Sequence, residues 1–359
     1  MKIVAAFDSF KESMSAYEAG LAVQRATDHD VIIKPMADGG EGTLEAIKSF
    51  LKGDIHKVEV HGPFNKTEAS LLIANKLAVI ECAQACGLDL VPPDKRDGSK
   101  TTTRGIGDMV RYAYDHGARE FLITLGGSAT NDGGAGFLSS LGVTFYNQEG
   151  AFIPTGETLK DIVTITLPHL EDMHFKGICD VTNPLLGEKG ATMVFGLQKG
   201  VKDLQSQEEG MRHYANKSVE ALHKDERNHP GAGAAGGLGF AIVAYLNGEL
   251  VHGFDEVARL SHLEEAIKHS DLVFTGEGSM DHQTLMGKTP QGVLKLAKKY
   301  HKKVIGFAGK VEDQELLLQA GFDDIRCINH QDAPLEILLK NGAKNLEQEV
   351  REYLKDYEI

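Results

Sequence analysis

The sequence predicts an α/β protein built on mostly parallel sheets, and three observations predict it. Short apolar runs alternate with helical patterns along the whole 359 residues. Several of those runs are continuously apolar rather than alternating, as strands covered on both faces require. The glycines cluster: sixteen of the forty lie in stretches 39–42, 126–136, 231–239 and 276–287, and three of these stretches follow a candidate strand. Glycine there allows positive φ or a close approach of backbone to a ligand. A chain of this length exceeds the size at which one hydrophobic core stops growing, so two domains are expected.

Taken in order, the candidate strands are Ile3–Phe7, Val31–Ile33, Leu71–Ile73, Leu77–Cys82, Phe121–Leu125, Gly177–Asp180, Leu272–Thr275, Val304–Ala308 and Ile325–Ile328. Ser15-x-x-Glu18 reads as a capping box opening a helix through about Arg25. Leu44–Phe50, Ala135–Leu141 and Leu238–Leu246 are further helical patterns. Residues 202–230 are strongly polar and predict one exposed helix, Glu208–His223. Thr289 reads as an N-cap before Pro290, leading into Val293–Tyr300. Gly321 stands where a C-terminal cap belongs, and Leu335–Lys355 reads as charged amphipathic helix.

Composition limits the function classes. Apolar residues at 42% and charged residues at 25% are globular values. Thirty-eight basic against fifty-two acidic side chains give a net charge of −14, which argues against nucleic acid or an anionic membrane as partner. Ile3–Phe7 is too short for a signal-peptide core, and the run 231–248 is too glycine-rich for a membrane span. Cys82 and Cys86 are spaced C-x-x-x-C while Cys179 and Cys327 stand alone, so reduced, buried thiols are expected rather than a zinc framework. A cytoplasmic protein follows, with homo-oligomerisation left open.

Five strand ends carry groups suited to chemistry. Asp8-Ser9-Phe10-Lys11 places a carboxylate, a hydroxyl and an ammonium just past the first strand, where open α/β sheets bind ligands. Asp38-Gly39-Gly40-Glu41-Gly42 opens a helical pattern with glycines that can cradle an anion, and its carboxylates suit a divalent cation or a substrate hydroxyl. Gly126-Gly127-Ser128-Ala129-Thr130-Asn131 is the strongest anion cradle. Asp180 ends the Gly177 strand, and Glu277, Asp281 and Lys288 share the loop after Leu272–Thr275. Gly287-Lys288-Thr289 is not a P-loop, because the required first glycine falls on His282. Gly231–Gly236 matches G-x-G-x-x-G in letters, but no strand precedes it, which weakens a nicotinamide-dependent oxidoreductase. A regulatory nucleotide-binding protein is the other rival, and it would not need so many carboxylates and lysines.

The motifs Asp8–Ser13, Met36–Thr43, Gly126–Gly134, Val194–Gly200 and Thr275–Gly278 resemble, in the same order, those of the bacterial type-1 glycerate kinases. The resemblance runs from Met1 to about Val311. It implies transfer of the ATP γ-phosphate to D-glycerate, giving 2-phosphoglycerate, with Mg²⁺. It also implies two α/β domains, one Rossmann-like and discontinuous (1–68 plus 285–359), the other inserted (69–284), with the active site in the cleft between them. Thr182 and Ser279 depart from the family, which commonly has aspartate and arginine there. For this reaction we expect Lys11, Lys288 or Arg104 to meet the anions. Ser9 and the loops Gly39–Gly40–Gly42 and Gly126–Gly127–Ser128–Thr130–Asn131 would hold substrate or phosphate. Asp281 or Asp180 would accept the proton, Asp8, Asp38 and Glu277 would hold the metal, and Gly233, Gly236, Gly237, Gly276 and Gly278 would border the nucleotide.

Overall fold

The computed structural model describes residues 1–40, 42–168, 172–330 and 333–357. Glu41, marked above beside Asp38, lies outside the described residues. Among those described, the strands are β1 (Lys2–Phe7), β2 (Asp30–Ile33), β3 (Asp54–His61), β4 (Lys66–Ala74), β5 (Leu77–Glu81), β6 (Glu120–Thr124), β7 (Thr144–Tyr146), β8 (Ala151–Phe152), β9 (Thr164–Thr166), β10 (His174–Ile178), β11 (Glu249–Val251), β12 (Leu272–Met280), β13 (Lys303–Val311) and β14 (Asp324–Cys327). The chain divides into two compact units, one of Met1–Asp38, Glu45–Lys52 and Gly253–Ile359, the other of Gly39–Leu44 and Gly53–His252.

The first unit holds a five-stranded, fully parallel sheet in the order β14-β13-β12-β1-β2. Ile3, Ala5, Phe7, Phe274 and Phe307 pack on one face beneath the helices Ala16–Ala26 and Gly342–Tyr357. Val4, Ala6, Val273 and Val304, pointing the other way, are equally buried. The helix Thr289–Lys299 lies against β12 and β13 with Val293, Leu294 and Ala297 inward. Burial on both faces is why these strands read as unbroken apolar runs. Counted along this unit, the strand order is 2-1-3-4-5. The winding therefore reverses between β1 and β12, and such a reversal opens a crevice at the carboxyl ends of the two strands.

Local signals hold with small shifts. The Ser15–Glu18 capping box forms, with Ser15 N–H donating to the Glu18 carboxylate at 2.8 Å. Gly321 ends its helix at φ +119°. Thr289 is not the N-cap: Lys288 is, and Thr289 begins the helix with its hydroxyl spent on Asp8 instead. β12 also runs on through Gly276 and Gly278 to Met280, where a loop was expected. At Gly276 a Cβ would sit 1.9 Å from the Phe307 carbonyl oxygen, so that glycine answers to close backbone approach within the sheet.

The second unit holds a mixed six-stranded sheet, β11-β10-β6-β5-β4-β3, in which β5, β6, β10 and β11 are parallel and β3 and β4 antiparallel. A small antiparallel sheet, β8-β7-β9, accompanies it. β3 escapes sequence reading because Asp54, His56, Lys57 and Glu59, spread over both of its faces, interrupt its apolar residues. The predicted strand to Asp180 stops at Ile178. The polar helix starts a turn early, at Leu204, and ends at Leu222. It is not simply exposed, for Met211, Tyr214 and Ala215 are fully buried at helical spacing among its charges. Cys82, Cys86 and Cys179 are free and buried, whereas Cys327 is only partly covered.

The cluster at 231–239 is a packing device. No strand precedes it, and the segment is buried throughout. A Cβ on Gly233 would meet the Pro184 carbonyl at 2.3 Å, on Gly237 the Gly133 Cα at 2.6 Å, and on Gly236 the Thr130 carbonyl at 2.0 Å. Gly236 and Gly237 also take φ of +67° and +97°. Gly236→Ala is expected to destabilise the protein by about 2–4 kcal/mol through strain and overlap, read by urea denaturation. Unchanged stability would contradict this packing role.

Candidate active site

In the first unit the site grows from the reversal between β1 and β12. Phe7 pairs with Gly276, and the Asp8 N–H donates to the Gly276 carbonyl at 2.9 Å, so Asp8 emerges beside Glu277. The Asp8 carboxylate accepts from the Thr289 hydroxyl at 2.6 Å and from the Ser9 N–H at 2.7 Å. Burial, with the nearby charges of Asp38 and Glu277, outweighs those bonds and pushes its pKa up to about 7. Glu277 accepts from the Thr284 hydroxyl at 2.8 Å and from the Lys288 ammonium at 3.1 Å, yet burial still raises its pKa. Asp281 caps the short helix His282–Leu285, one carboxylate oxygen accepting from the Gln283 N–H at 2.7 Å. Lys11 is exposed, and its side chain takes no hydrogen bond or ion pair among the described residues.

In the second unit the carboxyl ends of three parallel strands meet Gly39, Gly40 and Leu44. Glu81, at the end of β5, accepts from the Leu44 N–H at 2.8 Å. A Cβ on Gly126, beyond β6, would lie 3.2 Å from the Gly39 carbonyl, and one on Gly39, at φ +94°, would strike Ile178 of β10 at 2.1 Å. Gly40 lies against Gly126, while Gly42, at φ +88°, has open space around it. Asp180, just past β10, is exposed and stands 3.4 Å from His252 at the end of β11.

The loop 126–134 is held from within. Asp132 is fully buried and accepts from the Thr103 N–H (2.8 Å) and hydroxyl (2.9 Å) and from the Gly134 (3.0 Å) and Gly136 (3.2 Å) N–H groups. Burial raises its pKa, and these four donors oppose the rise. The same bonds fix the start of the helix Arg104–Asp115, leaving the Arg104 guanidinium without a hydrogen-bonded partner among the described residues. The Lys199 ammonium, 4% exposed, donates to Ser128 Oγ at 2.9 Å and to the Thr130 carbonyl at 2.8 Å. Thr130 Oγ1 and Asn131 Oδ1 are buried without a partner among the described residues. Glycine 127, at φ +73°, completes the turn. The structure thus gathers Asp8, Asp38, Glu277, Asp281 and Lys288 in one unit and Gly39, Gly40, Gly126, Gly127, Ser128, Thr130 and Asn131 in the other. Thr284, Thr289, Thr103, Asp132, Lys199 and His252 were missed as partners. Lys199 and Asp132 lie inside motifs already marked, but no spacing shows what a buried side chain meets.

The glycerate kinase family model matches residues 3–358. The chain belongs to that family. Its relatives include the glycerate 2-kinase of Escherichia coli K12, 44% identical with 96% of this chain and 95% of the relative covered. The glycerate kinase of Bacillus subtilis 168 is 41% identical, with 98% and 96% covered. A crystal structure from Salmonella typhimurium LT2 superposes with a TM-score of 0.91 at 39% identity, over 100% of this chain and 98% of that one. As a glycerate kinase it is a transferase, and ATP is the donor that the kinase family implies. No described helix is long and apolar enough to cross a membrane.

Two predictions test the geometry. Unfolded, Asp8 ionises near 3.8, and folded near 7. Between those values the native state holds a proton that the unfolded chain lacks, so this group makes stability fall as pH rises from about 4 to about 7. Urea denaturation across that window should show a shallower fall for Asp8→Asn, and an unaltered slope would contradict the assignment. Asp132→Ala strands three backbone donors and should cost about 3–5 kcal/mol. A loss below about 1 kcal/mol in the same assay would remove Asp132 as the anchor of the loop.

Proposed function

We propose that the enzyme transfers the γ-phosphate of ATP to the 2-hydroxyl of D-glycerate. The observation that carries this reading is the crowding of Asp8, Asp38, Glu277, Asp281 and Lys288 at the β1/β12 reversal, in a chain whose E. coli relative is named glycerate 2-kinase. Phosphoryl transfer depends on positioning and charge neutralisation rather than covalent help from the protein. Lys288, steered by Glu277, meets the developing negative charge. Asp281 accepts the hydroxyl proton, its carboxylate held in place by the helix cap it forms with the Gln283 N–H. The backbone amides of Gly126, Gly127, Ser128 and Thr130, with Gly39 and Gly40, cradle an anionic group, while the Ala129 N–H is spent on the Cys86 carbonyl; Arg104 stands ready for another anion.

Mg²⁺ fits the same cluster. Burial, and after it the neighbouring charges of Asp38 and Glu277, raise the proton affinity of Asp8, and a cation beside it would offset both. Among the described residues no three His, Cys, Asp or Glu side chains form a ready cage. Mg²⁺ needs none, since it takes one or two carboxylates with waters and phosphate oxygens. Asp8 and Asp38 are the residues that would hold it, and bound there it would neutralise phosphate charge.

A second reading of the base has its own observation, the Asp180–His252 pair at 3.4 Å, which could take the proton through the imidazole. Steady-state assays with ATP and D-glycerate separate the two. Asp281→Asn should lower kcat by about two orders of magnitude and Asp180→Asn much less. Lys288→Ala should cost about a hundred- to a thousand-fold. Near-wild-type turnover in folded Asp281→Asn, with loss in Asp180→Asn, would move the proton acceptor to the Asp180–His252 pair.

A further inference from the structure

Lys199 is a buried cation that the reaction scheme above leaves unused. It follows the helix Ala191–Phe195 in the turn 196–200 and reaches the loop 126–131 from behind. The groups of opposite or ionisable character around it are Cys82, Cys86 and Asp132. Asp132 already has four donors of its own, and both thiols are buried, so none of them demands an ammonium. Burying a charge is costly, and a neutral donor would suffice to brace the loop.

What the ammonium alone supplies is direction. It has three protons and no lone pair, so Ser128 Oγ can only accept from it. The Ser128 proton must then point away, and among the described residues nothing accepts it. The third ammonium proton is likewise unclaimed, and Thr130 Oγ1, on the residue whose carbonyl the ammonium bonds, has no partner among the described residues. We propose that Lys199 is a positioning residue that locks Ser128 as a donor, so that the loop offers N–H and O–H groups to an incoming carboxylate or phosphate. This rests on the reading of Gly126–Asn131 as an anion site.

Burial brings the Lys199 pKa down to about 8, so the lock weakens as pH rises through that value. The test is steady-state kinetics of wild type, Lys199→Met, Ser128→Ala and the double variant from about pH 7 to 9, with D-glycerate and ATP varied separately. At pH 7 each single variant should raise the KM of one substrate about tenfold, with a smaller change in kcat. A rise for D-glycerate identifies the carboxylate as ligand, and a rise for ATP the phosphate. The double variant should be no worse than the singles. The wild-type KM should climb above about pH 8, and both single variants should lack that climb.

If Ser128→Ala raises KM and Lys199→Met does not, the loop still binds the anion and the role of Lys199 is overturned. If neither variant changes either KM, the anion reading of the loop falls with it. Additive losses in the double variant overturn the lock as well. Should Lys199→Met fail to fold, Ser128→Ala decides alone: persistence of the climb above pH 8 overturns the proposal, and its loss supports it.

Discussion

Parallel pairing of β1 with β12 joins two segments from opposite ends of the chain, and the first unit's chemistry depends on it. Phe7 faces Gly276 in register, and the Asp8 N–H bonds the Gly276 carbonyl. Gly276 has no side chain to keep β13 away, so three strands close up where the winding reverses. Apolar residues on both faces make this the stable arrangement, and the carboxylates at its edge are a local cost borne by the burial beneath them. Glu277 finds the Lys288 ammonium and Thr284, while Asp8, more deeply buried and with two uncharged donors only, holds a proton affinity near neutrality.

The second unit solves a different problem, how to keep a glycine-rich loop in one shape. Glycine gives the turn its positive φ but also freedom to leave it. Here the loop is clamped on three sides: Asp132 ties it to Thr103, Lys199 ties it to the turn behind, and the backbone of Gly236 and Gly237 presses on it directly. The clamps use most of the side-chain polar groups in the loop. The few left over, Thr130 Oγ1 and Asn131 Oδ1 with the Ser128 proton, stand out for that reason.

The sequence was most legible where one residue's chemistry acts locally. Apolar runs marked nine strands because they are short and most are buried, and Ser15, Glu18 and Gly321 announced helix ends through bonds a few residues long. Strand-end carboxylates marked the site because open sheets place ligands there. What stayed hidden is relational. β3 faces water and reads as charged loop, and the buried face of the helix Leu204–Leu222 is diluted by its polar neighbours. Glycines 233, 236 and 237 look alike on paper whatever lies against them, and only the fold shows that the backbones of Pro184, Thr130 and Gly133 do. The partners of Asp8 and Lys199 lie far away in sequence, beyond any spacing rule.

The most direct test is a ³¹P spectrum of the product made from ATP and D-glycerate. Phosphate on the 2-hydroxyl couples to a single carbon-bound proton, whereas phosphate on the 3-hydroxyl couples to two. The account predicts ADP together with a phosphomonoester doublet. A triplet would contradict the position of transfer, and ATP left unconsumed by a folded enzyme with Mg²⁺ and D-glycerate would contradict the reaction itself.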